Sequence, residues 1–261
     1  MFDKDLLVVN NLTKRFDEKS LALDDISFTV KDGEFLSILG PSGCGKTTIM
    51  RILIGLTEPT NGRIYMNGTD ITEYDSADRN MGIVFQNYAL FENMSVLENV
   101  EYALKIRKDR KATARAEAME MIERMELSEH AGKKPGELSG GQQQRVAIAR
   151  TLVLNPKIIL FDEPMSALDV ATRLQLRKEL KKIQKEYGTT MIYVTHDQEE
   201  AFSLSDRIMV MSEAHIVQLD TPHNIIINPA EQYIKDFVIE NLKIKIDSLA
   251  VYIEDINHEE T

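Results

Sequence analysis

The chain carries one cysteine, Cys44, among its 261 residues. A lone thiol excludes an intramolecular disulfide and suits a reducing compartment. Long hydrophobic runs are missing as well. The apolar stretches fall far short of the roughly 20 residues that a membrane-spanning helix needs, so any membrane role has to come through docking onto another subunit. The opening Met1-Phe2-Asp3-Lys4-Asp5 is charged, and no signal peptide is expected there. Positive charge is scarce: 31 Lys and Arg stand against 42 Asp and Glu, a net charge of −11, and no dense basic run could track a nucleic-acid backbone. Nucleic acid is therefore not an expected partner. Nothing like a linker divides the chain either, so its length predicts one core with a smaller lobe.

What the chain does have is Gly40-Pro41-Ser42-Gly43-Cys44-Gly45-Lys46-Thr47, a complete GxxxxGK[ST] phosphate-binding loop after the apolar run Glu34-Phe35-Leu36-Ser37-Ile38-Leu39. This order predicts a strand, a loop and the first turn of a helix. The glycines let successive N–H groups point at phosphates, and the helix opening near Gly45 adds its positive end. Lys46 then reaches the β- and γ-phosphates, and the Thr47 hydroxyl coordinates magnesium. Kinases, GTPases, motors and transport ATPases all use such a loop, so the remaining sequence has to choose among them.

Leu6-Leu7-Val8-Val9 reads as a strand, and Ile26, Phe28 and Val30 alternate with polar residues as another. Between them lies Phe16, either a part-buried core ring or a ring stacked on adenine. Ile49, Ile52, Leu53 and Leu56 share a helical face, Arg63-Ile64-Tyr65-Met66 enters a tight Asn67-Gly68 turn, and Met81-Gly82-Ile83-Val84-Phe85 is a buried strand ending on Gln86. Gln86 is a cap, or an amide able to ligate a metal and hold a water. From about 92 to 137 the chain becomes a charged, methionine-rich helical lobe, with a Ser95/Glu98 capping box and an apolar stripe of Ala118, Met121, Ile122 and Met125. Tyr88-Ala89-Leu90-Phe91 leads into it, either as internal packing or as a docking surface.

Leu138-Ser139-Gly140-Gly141-Gln142-Gln143-Gln144-Arg145 opens the next helix, with Ser139 as N-cap. Glycines cost roughly 1 kcal/mol each inside a helix, so Gly140 and Gly141 suggest that something approaches the backbone closely, and a second phosphate contact satisfies that. Lys157-Ile158-Ile159-Leu160-Phe161-Asp162-Glu163 is a buried parallel strand ending in two carboxylates. At that sheet edge Asp162 is placed to hold magnesium through water and Glu163 to accept a proton from an attacking water. Adjacent anions want a cation, which the metal supplies. Ser166-Ala167-Leu168-Asp169 leads into a helix faced by Leu176, Leu180, Ile183 and Tyr187 and closed by Gly188. Thr190-Met191-Ile192-Tyr193-Val194-Thr195 then delivers His196 to the same edge. Ile208 to Met211 and Ile216 to Leu219 form a hairpin-like pair, and Ala230 to Val238 a closing helix. The tail 241–261 alternates at Ile244 and Ile246 and ends acidic.

In order and spacing, the phosphate loop, Gln86, LSGGQQQR, ILFDEP, SALD and His196 resemble the nucleotide-binding subunit of ATP-binding-cassette (ABC) transporters across residues 6–238. The resemblance implies an α/β fold, a P-loop NTPase of ABC type with a mixed core sheet, flanking helices, an antiparallel β subdomain and an inserted helical lobe. It divides the chain into an ATPase domain, 1–240, with a RecA-like core at 1–91 and 138–240 and a lobe at 92–137. A tail, 241–261, is left that is too short for a regulatory β-barrel. Phe16 becomes the adenine-stacking residue, where tyrosine is commoner, Gln86 the Q-loop residue and a magnesium ligand beside Thr47 and Asp162, Asp169 the D-loop residue, and His196 the switch histidine. Thr48 joins the phosphate loop's contacts to ATP.

A head-to-tail homodimer is implied, with ATP in its interface. Ser139, Gly140, Gly141, Gln142 and Asp169 of one copy meet the nucleotide held by the other copy's Lys46. Within the family, the stretch from Gly82 to Phe91 followed by Met94-Ser95-Val96-Leu97-Glu98-Asn99-Val100 is similar to bacterial importers for polyamines, ferric iron and phosphonates. That implies MgATP hydrolysis driving uptake through permease subunits docked near Tyr88 to Phe91, an extracytoplasmic binding protein, and a place on the cytoplasmic face of the membrane. Cassettes for sulfonate, nitrate or amino acids are the alternative cargo class, and a soluble non-transport ABC ATPase is the alternative function.

Overall fold

The computed structural model describes residues 5–17, 20–107, 109–166 and 168–247. The charged opening 1–4, Ala167 and the tail residues 248–261 lie outside them. The chain starts with β1 (Asp5–Arg15) and β2 (Leu21–Lys31), then the wholly buried β3 (Phe35–Leu39), and α1 (Lys46–Leu53). β4 (Asn61–Met66) and β5 (Thr69–Asp70) follow, joined by Asn67 and Gly68 at φ 49° and 77°, the left-handed pair that a tight hairpin requires. After β6 (Met81–Val84) come α2 (Val96–Ile106), with its Ser95/Glu98 capping box formed, α3 (Ala114–Arg124) and α4 (Gly140–Leu152). β7 (Ile158–Asp162), α5 (Val170–Tyr187), β8 (Thr190–Thr195), α6 (Gln198–Leu204), β9 (Arg207–Ser212), β10 (His215–Asp220), α7 (Pro222–Ile227) and α8 (Gln232–Ile234) complete the order.

Two sheets result: an antiparallel one ordered β2-β1-β4-β5, and a six-stranded one ordered β10-β9-β3-β8-β7-β6. In the second, β9 through β6 run parallel and only β10 is antiparallel to its neighbour. The uniform hydrophobicity of β7 and β8 follows from burial on both faces. Ile159, Phe161, Met191 and Tyr193 face a core shared with α2, α3, α4 and α5. Ile158, Leu160, Ile192 and Val194 face another, shared with α1 and the antiparallel sheet. Met121 and Met125 fill the first core. No described helix is long and apolar enough to cross a membrane.

Several local expectations shift. Leu56 does not join the buried face of α1, which stops at Leu53; Gly55 turns the chain at φ 83° and leaves Leu56 56% exposed. β6 is the sheet's edge rather than a fully buried strand, so Val84 is its one buried residue. The closing helix is α8 continued by a π-helical turn, Lys235–Glu240, and by helix over 241–247, where Ile244 and Ile246 are exposed. Their i, i+2 spacing reflects no strand.

Candidate functional site

Parallel register decides what meets at the carboxyl edge of the sheet. Leu39 pairs with Thr195, Val194 with Asp162, and Phe161 with Val84. The next residues along each strand therefore emerge side by side: the phosphate loop after β3, His196 after β8, Glu163 after β7 and Gln86 beyond β6. Ligands of open α/β sheets gather at this edge.

Glycine is required in the phosphate loop for two separate reasons. Gly45, the N-cap of α1, sits at φ 106°, and a Cβ there would lie 2.5 Å from the Ala22 carbonyl oxygen. A Cβ at Gly40 would lie 2.5 Å from the Met211 carbonyl oxygen and 2.7 Å from the Cys44 sulfur. The cradle is thus fitted to backbone alone. No side chain caps α1 and no acid lies in its first turn, so its positive end is unopposed. Lys46 is 5% exposed, and its ammonium donates to the Gly40 and Pro41 carbonyls at 2.8 Å each. Cys44 is buried below the loop, and burial pushes its thiol pKa up. Pro41 and Thr48 are half-buried, while Ser42, Gly43 and Thr47 face solvent.

Thr47 and Lys46 of the loop both pull on the Asp162 carboxylate, so the loop and the end of β7 share one electrostatic environment. Burial and the adjacent Glu163 charge push the Asp162 pKa up, against the opposing pull of Arg51, Lys46 and Thr47. Such a carboxylate gains from a nearby cation. Among the described residues no group of three or more His, Cys, Asp and Glu could hold a metal alone. Thr47, Gln86 and Asp162 offer a hydroxyl, an amide and a carboxylate, an all-oxygen set that suits magnesium sharing its shell with waters and phosphates.

Glu163 stands at φ 45°, and its Oε2 lies 3.0 Å from His196 Nδ1, across the β7–β8 boundary. Gln86, exposed in the turn beyond β6, donates from Nε2 to the Ser166 hydroxyl at 3.0 Å. Phe16 is 61% exposed just past β1 with the Lys14 ammonium 5.2 Å over its ring, so it is no core residue.

The second glycine-rich segment is arranged differently. The Ser139 hydroxyl accepts from the Gln142 amide at 3.3 Å, the Gln142 side chain accepts from the Ser139 amide at 2.9 Å, and its Nε2 meets His130 at 2.9 Å. A Cβ at Gly140 would lie 3.3 Å from Leu168, and one at Gly141 3.2 Å from Thr172. Part of the glycine requirement is therefore close packing by the start of α5 in the same chain. Asp169 caps α5 through Thr172, at 3.0 Å to its amide and 2.6 Å to its hydroxyl. Among the described residues these side chains bond one another, His130 and the start of α5, and none bonds the phosphate loop.

Two groups escaped the sequence reading. Ser166 was passed over as part of a loop. Arg79, 3% exposed, donates to the Ile52 and Leu53 carbonyls at 2.6 and 2.9 Å and to those of Thr72 and Tyr74, closing the rear of α1; burial lowers its pKa. No local pattern announces a guanidinium that serves as a helix C-cap.

Comparison with known proteins places this geometry. Residues 23–166 match the family described as ABC transporter. A spermidine/putrescine import ATP-binding protein, PotA, of Marinobacter nauticus is 47% identical over 90% of this chain and 63% of its own length; that of Roseobacter denitrificans is 47% identical over 89% and 64%. The chain thus spans somewhat less than two thirds of these relatives. A solved structure, cbiO1 from Clostridium perfringens, part of the ABC transporter complex cbiONQ, superposes with a TM-score of 0.81 at 29% identity, covering 97% of this chain and 100% of that one. By the family match over more than half of its length, with the phosphate loop and the Asp162-Glu163 pair inside the matched residues, the chain belongs to the ABC transporter family.

Proposed function

We propose that this chain is the ATP-binding and ATP-hydrolysing subunit of an ABC importer, working with permease subunits on the cytoplasmic face of a membrane, with a polyamine as cargo. The observation that carries the ATPase reading is the meeting of Lys46, Thr47, Asp162, Glu163, His196 and Gln86 at one sheet edge. The cargo class rests on the relatives' names. Residues 1–240 act as one ATPase unit, with 92–137 as the lobe that carries motion to the permease.

In this reading Lys46 leaves its own loop carbonyls for the β- and γ-phosphates, and Phe16 stacks on the adenine. Thr47, Gln86 and Asp162 would hold a magnesium ion, which would supply positive charge against the phosphate oxygens. Glu163 takes the proton of the attacking water. His196 donates from Nδ1 to one Glu163 oxygen and leaves the other for that water. Rate enhancement comes from positioning and fixed charge, as in phosphoryl transfer generally. Ser139, Gly140, Gly141, Gln142 and Asp169 act on a second copy's nucleotide, in an isologous two-fold dimer that opens after hydrolysis.

In this reading the permease docks at the Phe91 end of the Tyr88 to Phe91 stretch. Tyr88 itself is 8% exposed within the core, and its ring is unavailable to a partner. Phe91 instead meets the Tyr102 ring at 4.7 Å between centroids, tilted by 54°, in an apolar groove of about 490 Å³ shared with Met81, Ile106 and Leu154. Arg150 donates to the Tyr88 and Ala89 carbonyls at 2.9 and 2.7 Å, tying α4 to the turn beyond Gln86. A permease helix in the groove would sense that turn.

The test is uptake of labelled spermidine by vesicles containing this chain and its permease and binding protein, energised by MgATP. Uptake that needs ATP and is lost with Glu163→Gln supports the reading. ATP hydrolysis without polyamine transport would move the cargo to ferric iron or phosphonate, or to sulfonate, nitrate or amino acids, and absence of hydrolysis would sink the ATPase assignment.

A further inference from the structure

We infer that Ser166 is a positioning residue that orients both water-handling side chains at once: its hydroxyl selects the face Gln86 presents to the nucleotide and pins the backbone from which Glu163 projects. This role rests on Glu163 acting as the base and Gln86 as a ligand of metal and water.

A serine hydroxyl has one proton to give and lone pairs to receive. Here the proton goes to the Glu163 carbonyl at 3.0 Å, and the lone pair accepts from Gln86 Nε2, also at 3.0 Å. The order of donors is therefore set. Were the Gln86 amide reversed, its Oε1 would face a hydroxyl whose only proton is committed elsewhere, and the bond would be lost. Ser166 thereby holds Nε2 inward and turns Oε1 away from itself, and Oε1 is the atom a cation needs.

The Glu163 end is constrained as closely. At φ 45° it occupies a region that non-glycine residues enter rarely. Its amide donates to the Val194 carbonyl at 3.0 Å, and its carbonyl receives both the Ser166 amide, at 3.2 Å, and the Ser166 hydroxyl. Pinned on both sides, Glu163 points its carboxylate at His196, 3.0 Å away. Strain of this kind persists only where neighbours over-determine it. The bland account is that Ser166 merely closes the turn after β7; on that account its loss would lower stability and leave the Gln86 amide unmoved.

The experiment uses the full chain with Ser166→Ala and Ser166→Thr, beside Glu163→Gln and Gln86→Ala controls. In the nucleotide-free chain the Gln86 side-chain amide protons are identified in an NMR spectrum by their loss in Gln86→Ala. Ser166→Ala should move them to the position of a solvated glutamine, and Ser166→Thr should restore them. In steady-state assays Ser166→Ala should lower kcat about tenfold, the scale of one hydrogen bond lost from the groups that orient Gln86 and Glu163, raise the half-saturating magnesium concentration about threefold, and change the KM for ATP less than about twofold. Threonine should recover most of the kcat. An unmoved Gln86 amide in Ser166→Ala, or a threonine variant no better than alanine, overturns the role. Wild-type turnover by Glu163→Gln would instead overturn the base assignment, and the Gln86 resonance would still decide whether Ser166 orients that amide.

Discussion

The two glycine-bearing helix starts, at α1 and at α4, look alike in sequence and differ in what they leave unsatisfied. The α1 start has a left-handed Gly45 as N-cap, no side-chain cap and a lysine folded onto its own loop carbonyls. The α4 start has Ser139 and Gln142 closing a reciprocal box, with Gln142 further held by His130. The first leaves its N–H groups without a side-chain acceptor; the second is closed by its own side chains. An uncapped helix end attracts phosphate unaided, whereas a capped, exposed one gains from phosphate only when a second copy supplies it in the right place. On the proposed reading, the α1 start binds ATP within one chain, and the α4 start acts on the nucleotide of a second copy.

The sharpest way to break this division is at Glu163. Glu163→Gln should leave ATP affinity nearly unchanged and lower turnover by about 100- to 10,000-fold, with accumulation of an ATP-bound dimer seen by size-exclusion chromatography. Turnover close to wild type removes Glu163 from the base role. Next in size, Lys46→Ala should weaken ATP binding by the isolated chain about 10- to 100-fold, since a charge-assisted phosphate contact is lost; equilibrium binding of a fluorescent ATP analogue measures it. Normal affinity there would count against the α1 site.

Ser139→Ala sharpens the contrast from the other side. It should cost about 1 kcal/mol of stability through the lost cap, spare ATP binding by the isolated chain, and lower turnover about tenfold. A fall in single-chain ATP affinity equal to that of Lys46→Ala would erase the distinction between the two helix starts.

The smallest effect concerns Cys44. Cys44→Ser should retain most activity, because the loop uses this residue's backbone. Burial raises the thiol pKa, so less thiolate exists at neutral pH than for a free cysteine. Maleimide labelling should accordingly be slow and keep climbing as pH rises through the ordinary thiol range. The adduct should block ATP, and MgATP should protect. Equal labelling rates with and without MgATP would remove the thiol from the nucleotide's surroundings.

Much of this is legible in the sequence alone. Gly45, Ser139, Ser95, Asn67-Gly68 and Gly188 each announce a local backbone geometry, and the structure has each of them. Uniform hydrophobicity in β7 and β8 signalled two-sided burial. Less legible were Phe16, exposed although aromatic, and Tyr88, buried in a stretch that reads as loop, because each depends on what lies across from it. Leu56 followed helical spacing past the residue where Gly55 had already ended the helix.

The sequence by itself determined the turns, the caps, the strands and the identity of the phosphate loop, since these arise from φ preferences and hydrogen bonds between residues a few positions apart. Only the tertiary structure decided that Glu163 meets His196, 33 residues away, and that Gln86 meets Ser166, 80 residues away. Those meetings are set by the parallel register of β6, β7 and β8, in which a shift of one residue would turn each side chain to the other face of the sheet.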